Sequence, residues 1–404
     1  MNRGRYFPVL DGLRGLAIIG VLLTHAAVYF QAHGAATRWF LPVMQFGQWG
    51  VDLFFVLSGF LITGILLDTR TAINRARSFY GRRVLRIFPV YYLALGLVLF
   101  VQPHWGWLRT AASLQTPAEY LSYLFYFQNW LPLFNNGGAP NSLVGHFWSL
   151  AVEEQFYLVW PVIVWHLSAR AIARLCLVAL LVTLVVRILL VAHFGSDVWV
   201  YRFTITRADG LYVGSALAVI YAVKGHVPKR LMVGLVALGG AALAIIAVFG
   251  PARQIWLTGT QMSMIGISGV ALLSGASVIF CLQSDETSVA KLLKQRWLRT
   301  FGKYSYGMYV WHFPIYYGMQ HLLEEQSFVF PLPTVIALPF LGVIIAVSFM
   351  AAWMSFNFYE QWFLQLKVHF QPVFLEQNHS DSPDGDTARD RDGRGVGTGT
   401  LIQA

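Results

Sequence analysis

Arg14 and His25 share the first long apolar segment of this 404-residue chain, LRGLAIIGVLLTHAAVYF. Their eleven-residue separation amounts to about three helical turns, or roughly 16 Å along one face. One groove can therefore hold both, a guanidinium for gripping an anion and an imidazole for moving a proton. The second apolar segment, GQWGVDLFFVLSGFLITG, carries Asp52, and the fourth, HFWSLAVEEQFYLVWP, carries Glu153 and Glu154. Each of these, like His25, comes about seven residues from the outer end of its segment, which predicts one layer on the order of 10 Å below the outer surface. Ionisable groups inside a bilayer are expensive and mark candidate functional sites. A histidine flanked by carboxylates is equipment for general-base chemistry at neutral pH. Taken singly, each residue also has a structural explanation. A buried histidine can simply hydrogen-bond a neighbour, Asp52 can bridge helices, and one glutamate can pair with Arg187. Glu153 and Glu154 are about 100° apart on a helix, so only one of them can point directly at a shared centre.

A second candidate is the arginine cluster in SFYGRRVLRIFPVYY, namely Arg82, Arg83 and Arg86. Arginine forks grip phosphates bidentately, although basic residues at a cytoplasmic boundary also serve as membrane anchors. The soluble-enzyme signatures are absent: no G-x-S-x-G elbow, Walker loop, H-E-x-x-H or G-x-G-x-x-G stands in the chain. His312 has no second ligand at metal spacing, so the expectation is a structural or pore-lining role and no metal. Cys176 and Cys281 both sit in apolar runs and read as neither a disulfide framework nor a metal site.

The elements that hold these residues follow from composition. Hydrophobic residues make up 56% of the chain and charged residues 12%, and the mean hydropathy is +0.56. A soluble surface needs about twice that charge, so most of this surface faces lipid. The expected fold is an all-α polytopic membrane bundle of about ten transmembrane helices, near 13–32, 45–67, 84–103, 146–167, 172–193, 209–223, 231–250, 259–283, 304–323 and 333–355. An aromatic stretch around 117–134 reads as an interfacial or re-entrant helix. The net charge of +10 is distributed as membrane topology and not as a nucleic-acid surface, so no nucleic-acid partner is expected. With the N-terminus inside, the inner loops carry eighteen Lys and Arg and the outer loops five, including Arg202 and Arg207. That asymmetry predicts both termini in the cytoplasm. The first apolar run lacks a cleavage site and is expected to remain as a span. Residues 377–400, rich in Asp, Gly, Ser and Arg, read as disordered, which divides the chain into a membrane domain, 1–366, and a cytoplasmic tail, 367–404.

Several blocks in order resemble the acyltransferase family 3 membrane proteins. They are YFPVLDGLRGLAIIGVLLTH with Arg14 and His25, WGVDLFFVLSGFLI, FYGRRVLRIFPVYY with Arg82, Arg83 and Arg86, FWSLAVEEQFYLVWP, TRADGLYVGSALA and FGKYSYGMYVWHFPIYY. One block departs: family members often close on Glu-Arg-Pro, whereas Glu360 is followed by Gln361 and Trp362. The extra esterase-like domain that some members carry is absent from the sequence, which reads as a stand-alone membrane module. The resemblance implies an acyl-CoA-dependent O-acyltransferase of the bacterial inner membrane, with acetyl-CoA as the donor and no metal. The acceptor it implies is a hydroxyl of an extracytoplasmic carbohydrate, such as a cell-surface polysaccharide or a lipid-linked sugar.

On that reading His25 is the general base or a transient acyl carrier, oriented by Asp52, Glu153 or Glu154. Arg14, Arg82, Arg83 and Arg86 hold the donor, and aromatics in the outer loops (Trp39, Trp105, Trp107, Trp130) stack on the acceptor. The other class that ten spans and buried charges would fit is a transporter of sugars or acylated lipids.

Overall fold

The structure is a computed structural model that describes residues 7–27, 44–101, 116–133, 143–195, 198–249, 260, 262–284, 286–326 and 332–375. Every regular element among these residues is helical. Ten helices are long: α1 (Pro8–Ala26), α2 (Trp49–Asp68), α3 (Arg75–Val101), α4 (Trp148–His166), α5 (Ala169–Phe194), α6 (Asp209–Lys224), α7 (Lys229–Phe249), α8 (Ile267–Gln283), α9 (Arg296–Glu325) and α10 (Thr334–Ser355). Each overlaps one of the apolar windows. Seven of them, α1, α2, α3, α5, α7, α8 and α10, belong to helices long and apolar enough to cross a membrane. The other three fall short for local reasons. Helix α6 has only 16 residues, α4 carries the Glu153-Glu154-Gln155 run, and α9 is punctuated by Lys303, Gln320 and several tyrosines. The protein is a multi-pass membrane protein.

The two spans of highest mean hydropathy, α5 and α7, are also the least buried, since lipid accepts their apolar faces. Helix α5 presents Leu177, Leu181, Val185 and Leu189 outward, and α7 presents Val233, Val236 and Val248. The inner helices approach one another through small residues, because van der Waals packing drives association when lipid is as apolar as the helix. Gly20 of α1 faces Gly47, just ahead of α2, and Gly50 faces Ala17. Helix α2 runs along α6, where a Cβ added at Gly59 would collide with the Leu211 carbonyl, and one at Gly214 with the Val56 carbonyl. Helix α1 runs along α9 in the same direction: Gly302 meets Asp11, and further on His312 meets His25.

Two buried ion pairs cross this inner packing. Arg207 donates to Asp52 at 2.6 Å, with both side chains buried. The guanidinium also lies over the rings of Tyr201, Trp148 and Phe55, at 4.6, 5.5 and 5.6 Å. Arg187 of α5 pairs with Asp209 at the start of α6 at 2.9 Å and donates to the Thr206 and Met264 carbonyls. It also donates to Ser268 of α8, whose hydroxyl in turn donates to Asp209. Two expectations are corrected here. Arg207 is not an outer-loop cation but a buried one, and Arg187 pairs with Asp209 and not with Glu153 or Glu154.

Around 117–134 a short helix, Pro117–Leu124, opens with a capping box between Thr116 and Glu119. It turns inward at Tyr126, whose φ is +58°. Tyr91 and Tyr92 of α3 hold it by donating to the Tyr123 and Leu124 carbonyls. After α10 the chain passes through Phe356–Glu360, Gln361–Gln365 and Leu366–Phe370 and returns beneath α3. There Ser78 donates to the Phe370 carbonyl and Asn74 to the Gln371 carbonyl, both at 2.8 Å. Residues 367–375, expected within the tail, are thus held against the bundle. The remaining tail, together with Trp39, Trp105 and Trp107, lies outside the described residues.

Gly59→Val should force α2 and α6 apart and destabilise by about 1–3 kcal/mol. Gly234→Ala, at a position with open space around it, should leave the thermal midpoint in detergent unchanged or slightly raised. Asp52→Ala strands a buried guanidinium and should cost about 3–5 kcal/mol, whereas a double Asp52→Leu, Arg207→Leu replacement should recover most of that stability. Thermal unfolding of the purified protein measures both effects.

Candidate active site

Three histidines from three elements meet near the end of α1. His25 is in its last turn, His146 lies in the short Gly145–Phe147 turn ahead of α4, and His312 lies in the middle of α9. The ring centroids of His25 and His312 are 5.0 Å apart, and those of His146 and His312 are 4.9 Å apart. Phe313 closes the group at 5.1 Å from His25 and 4.8 Å from His146. Tyr316 of α9 donates its hydroxyl to the Leu22 carbonyl, which locks the two parallel helices at this level. His25 is half-buried, whereas His146 and His312 are buried. Among the described residues, no three His, Cys, Asp or Glu side chains are arranged to hold a metal ion.

The hydrogen bonds of His25 are made with a backbone carbonyl and another histidine. Its Nδ1 lies 2.9 Å from the Val21 carbonyl oxygen and 3.3 Å from Nε2 of His312. His312 in turn places Nδ1 2.7 Å from the Tyr309 carbonyl oxygen. One turn earlier on α9, the Tyr309 hydroxyl bonds Ser149 of α4 at 2.5 Å and donates to the His146 carbonyl at 3.0 Å.

Ser149 and Tyr309 also line a cavity, partly open to the surface, among α1, α2, α3, α4 and α9. Arg14, Arg83 and Arg86 line the same cavity, as do Glu153 and Glu154. Arg14 lies within electrostatic reach of Glu153, Tyr157 and Arg83. Arg83 also sits over the Tyr157 ring at 5.4 Å, and Tyr157 shares a short hydrogen bond with Ser58. Arg86 faces Glu360 and Tyr306. Glu360 is buried in a π-helical turn, a local widening that often marks functional positions, and it accepts from Ser355 at 3.2 Å. Arg82 points elsewhere, to Gln371 of the returning chain at 3.3 Å.

The sequence-derived candidates therefore divide into two groups at different depths. Gly20 faces Gly47 and Ala17 faces Gly50, so α1 and α2 pair in reverse order and Asp52 comes level with Gly15. That is about ten residues, or about 15 Å, below His25. Glu153 and Glu154 follow His146 by two turns, roughly 10 Å along α4. The single layer expected from apolar window counts is thus not formed. Window edges follow hydropathy, whereas α1 begins with a proline at Pro8 and has His25 in its last turn. Asp52 is committed to Arg207, and the glutamates stand among the arginines. His25 instead gains His312 and His146, which spacing did not join to it because they lie 287 and 121 residues away. The sequence signals for His312 were an imidazole in an apolar run and its place in the block FGKYSYGMYVWHFPIYY, and neither joined it to His25.

Residues 7–353 match the family described as an acyltransferase domain. Among curated relatives, YrhL of Bacillus subtilis (strain 168), provisionally named a peptidoglycan O-acetyltransferase, is 33% identical over 77% of this chain and 49% of its own. The O-acetyltransferase OatA of Staphylococcus aureus (strain NCTC 8325 / PS 47) is 31% identical over 78% of this chain and 51% of its own. The peptidoglycan O-acetyltransferase OatA of Listeria monocytogenes serovar 1/2a (strain ATCC BAA-679 / EGD-e) is 29% identical over 77% and 49%. The chain thus spans about half the length of the curated relatives it matches. No solved structure gives a significant match. The family match runs from the residue before α1 to within two residues of the end of α10, and by that match the chain belongs to the acyltransferase 3 family of membrane proteins.

Proposed function

We propose that the protein is an O-acyltransferase of the bacterial inner membrane that moves an acetyl group from cytoplasmic acetyl-CoA to a hydroxyl of an extracytoplasmic carbohydrate, cell-wall peptidoglycan in the first instance. The observation that carries the proposal is one cavity whose lining runs from three arginines to the Ser149–Tyr309 pair beneath the histidines. Arg14 and His25 stand about 16 Å apart along α1, a separation within reach of an extended pantetheine arm. Anionic phosphates held at the arginines would put the thioester near the imidazole. The relatives' names supply the acetyl group and the peptidoglycan acceptor.

In this reading ten helices span the membrane with both termini in the cytoplasm, so that α1 leads outward and His25 lies toward the outer side. The parallel runs of α1 with α9 and α2 with α6 support it, since each pair is separated by an even number of crossings. The basic arginine end of the cavity then faces the cytoplasmic donor. His25 accepts the proton of the acceptor hydroxyl while its oxygen attacks the thioester carbonyl carbon. The carbon–sulfur bond breaks, and the proton held on His25 passes to the departing sulfur, leaving an ester and free CoA thiol. Glu153, Glu154 and Glu360 neutralise part of the arginine cluster and keep it fixed before the donor enters. From 367 onward the chain is a cytoplasmic appendage whose first residues brace α3.

Purified protein in liposomes, given radiolabelled acetyl-CoA and soluble peptidoglycan strands, tests the reaction. His25→Ala should lower kcat by about 10²–10⁴-fold with little change in KM for acetyl-CoA. Normal transfer by that variant would overturn the mechanism. Arg83→Ala and Arg86→Ala should each raise KM for acetyl-CoA by about ten- to a hundred-fold, the loss of one charge-assisted contact. Arg82→Ala, which faces Gln371, should change it by less than about threefold. Mass spectrometry of cell-wall glycan from a deletion strain should show acetyl groups missing from the sugar.

A further inference from the structure

The pattern of donors and acceptors around His25 determines which of its nitrogens is free. A carbonyl oxygen only accepts, so the imidazole nitrogen beside it must carry the hydrogen. Nδ1 of His25 faces the Val21 carbonyl at 2.9 Å and is therefore N–H. Nδ1 of His312 faces the Tyr309 carbonyl at 2.7 Å and is likewise N–H. In a neutral imidazole the other nitrogen is then a lone pair, so Nε2 of His312 is an acceptor. That acceptor stands 3.3 Å from Nδ1 of His25, whose hydrogen is shared between it and the Val21 carbonyl. The chain of assignments closes without conflict and leaves Nε2 of His25 unprotonated.

We propose that His312 is the positioning residue of the site: by accepting from Nδ1–H of His25 it fixes the tautomer in which Nε2 of His25 is the base. The proposal rests on the reaction described above and replaces the carboxylate expected from sequence with a second histidine. Asp52 is unsuited to that part because Arg207 engages it about 15 Å below His25. His312 is itself held at three points. Its Nδ1 is tied to Tyr309, its ring packs on His146 at 4.9 Å, and its helix is locked to α1 by the Tyr316–Leu22 bond. A histidine serves here where a carboxylate would not, because a neutral acceptor costs far less to bury than an unpaired anion.

The role is distinguished from mere packing by two substitutions. His312→Gln can offer an amide oxygen near the place of Nε2, whereas His312→Leu fills the space without an acceptor. With full-length protein in nanodiscs, acetyl-CoA as donor and soluble peptidoglycan strands as acceptor, the leucine variant should lose about 10²–10⁴-fold in kcat. The glutamine variant should stay within about tenfold of wild type, and KM for acetyl-CoA should move less than about twofold in both. Equal kcat for the two variants, or a loss carried mainly in KM, would overturn the assignment. A second measurement needs neither variant: nitrogen NMR of histidine-labelled wild type, with His25→Ala identifying the signal, should show hydrogen on Nδ1 and none on Nε2. The opposite tautomer overturns the proposal whatever the kinetics. Failure of wild type to transfer acetyl from acetyl-CoA would instead sink the proposed reaction and leave the tautomer to be decided by NMR.

Discussion

A charge withdrawn from water into a helical bundle must be met by another charge or by a set of hydrogen-bonding dipoles, or it costs more than the fold can supply. Much of the architecture follows from how this chain meets that demand. The Arg207–Asp52 and Arg187–Asp209 pairs draw α2, α5, α6 and α8 around one point. Ser268, Thr206 and the Met264 carbonyl take up most of the remaining donors of Arg187. Both arginines and both aspartates come from the stretch around TRADG or from the helices it touches. That short segment between α5 and α6 is therefore a structural knot and not an outer loop.

With those charges consumed in pairs, the basic groups left around the cavity stand out. Arg14, Arg83 and Arg86 are held close together, with Glu153, Glu154 and Glu360 around them. In the proposed reaction such a cluster is pre-organised for the donor's phosphates, because the cost of assembling it is met by folding and not at binding. Two of the helices that supply the walls, α4 and α9, are also among those too polar to qualify as spans by hydropathy. That coincidence has a cause: a helix that lines a polar cavity is shielded from lipid by its neighbours and is free to carry glutamates, tyrosines and histidines. Pro314 in α9 and Pro161 in α4 each remove one backbone donor, a loss better tolerated inside a bundle than against lipid.

The histidine layer depends on the parallel alignment of α1 and α9. Helices in the same direction keep a constant offset, so the close approach at Gly302 and Asp11 carries forward to bring His312 beside His25 and Tyr316 to Leu22. Small residues near the start of α1 thereby set the geometry of the site at its other end.

Composition and periodicity alone determined that the chain is a helical membrane protein, where the ten long helices among the described residues lie, and that Arg14 and His25 share one face. These are local properties: hydropathy over about 20 residues decides insertion, and helical pitch decides which residues on one helix align. The depths of Asp52, Glu153 and Glu154 relative to His25 could not be read the same way. Depth across different helices depends on where backbones touch, and at Gly20–Gly47 and Gly59–Leu211 that is decided by fitting one surface against another. Partner choice was equally hidden. Arg207 could be counted as a loop cation and Arg187 as a mate for a glutamate, until tertiary packing brought Asp52 and Asp209 within bonding distance. The orientation of His25 is the clearest case, since a hydrogen bond spanning 287 residues of sequence leaves no trace in any local pattern.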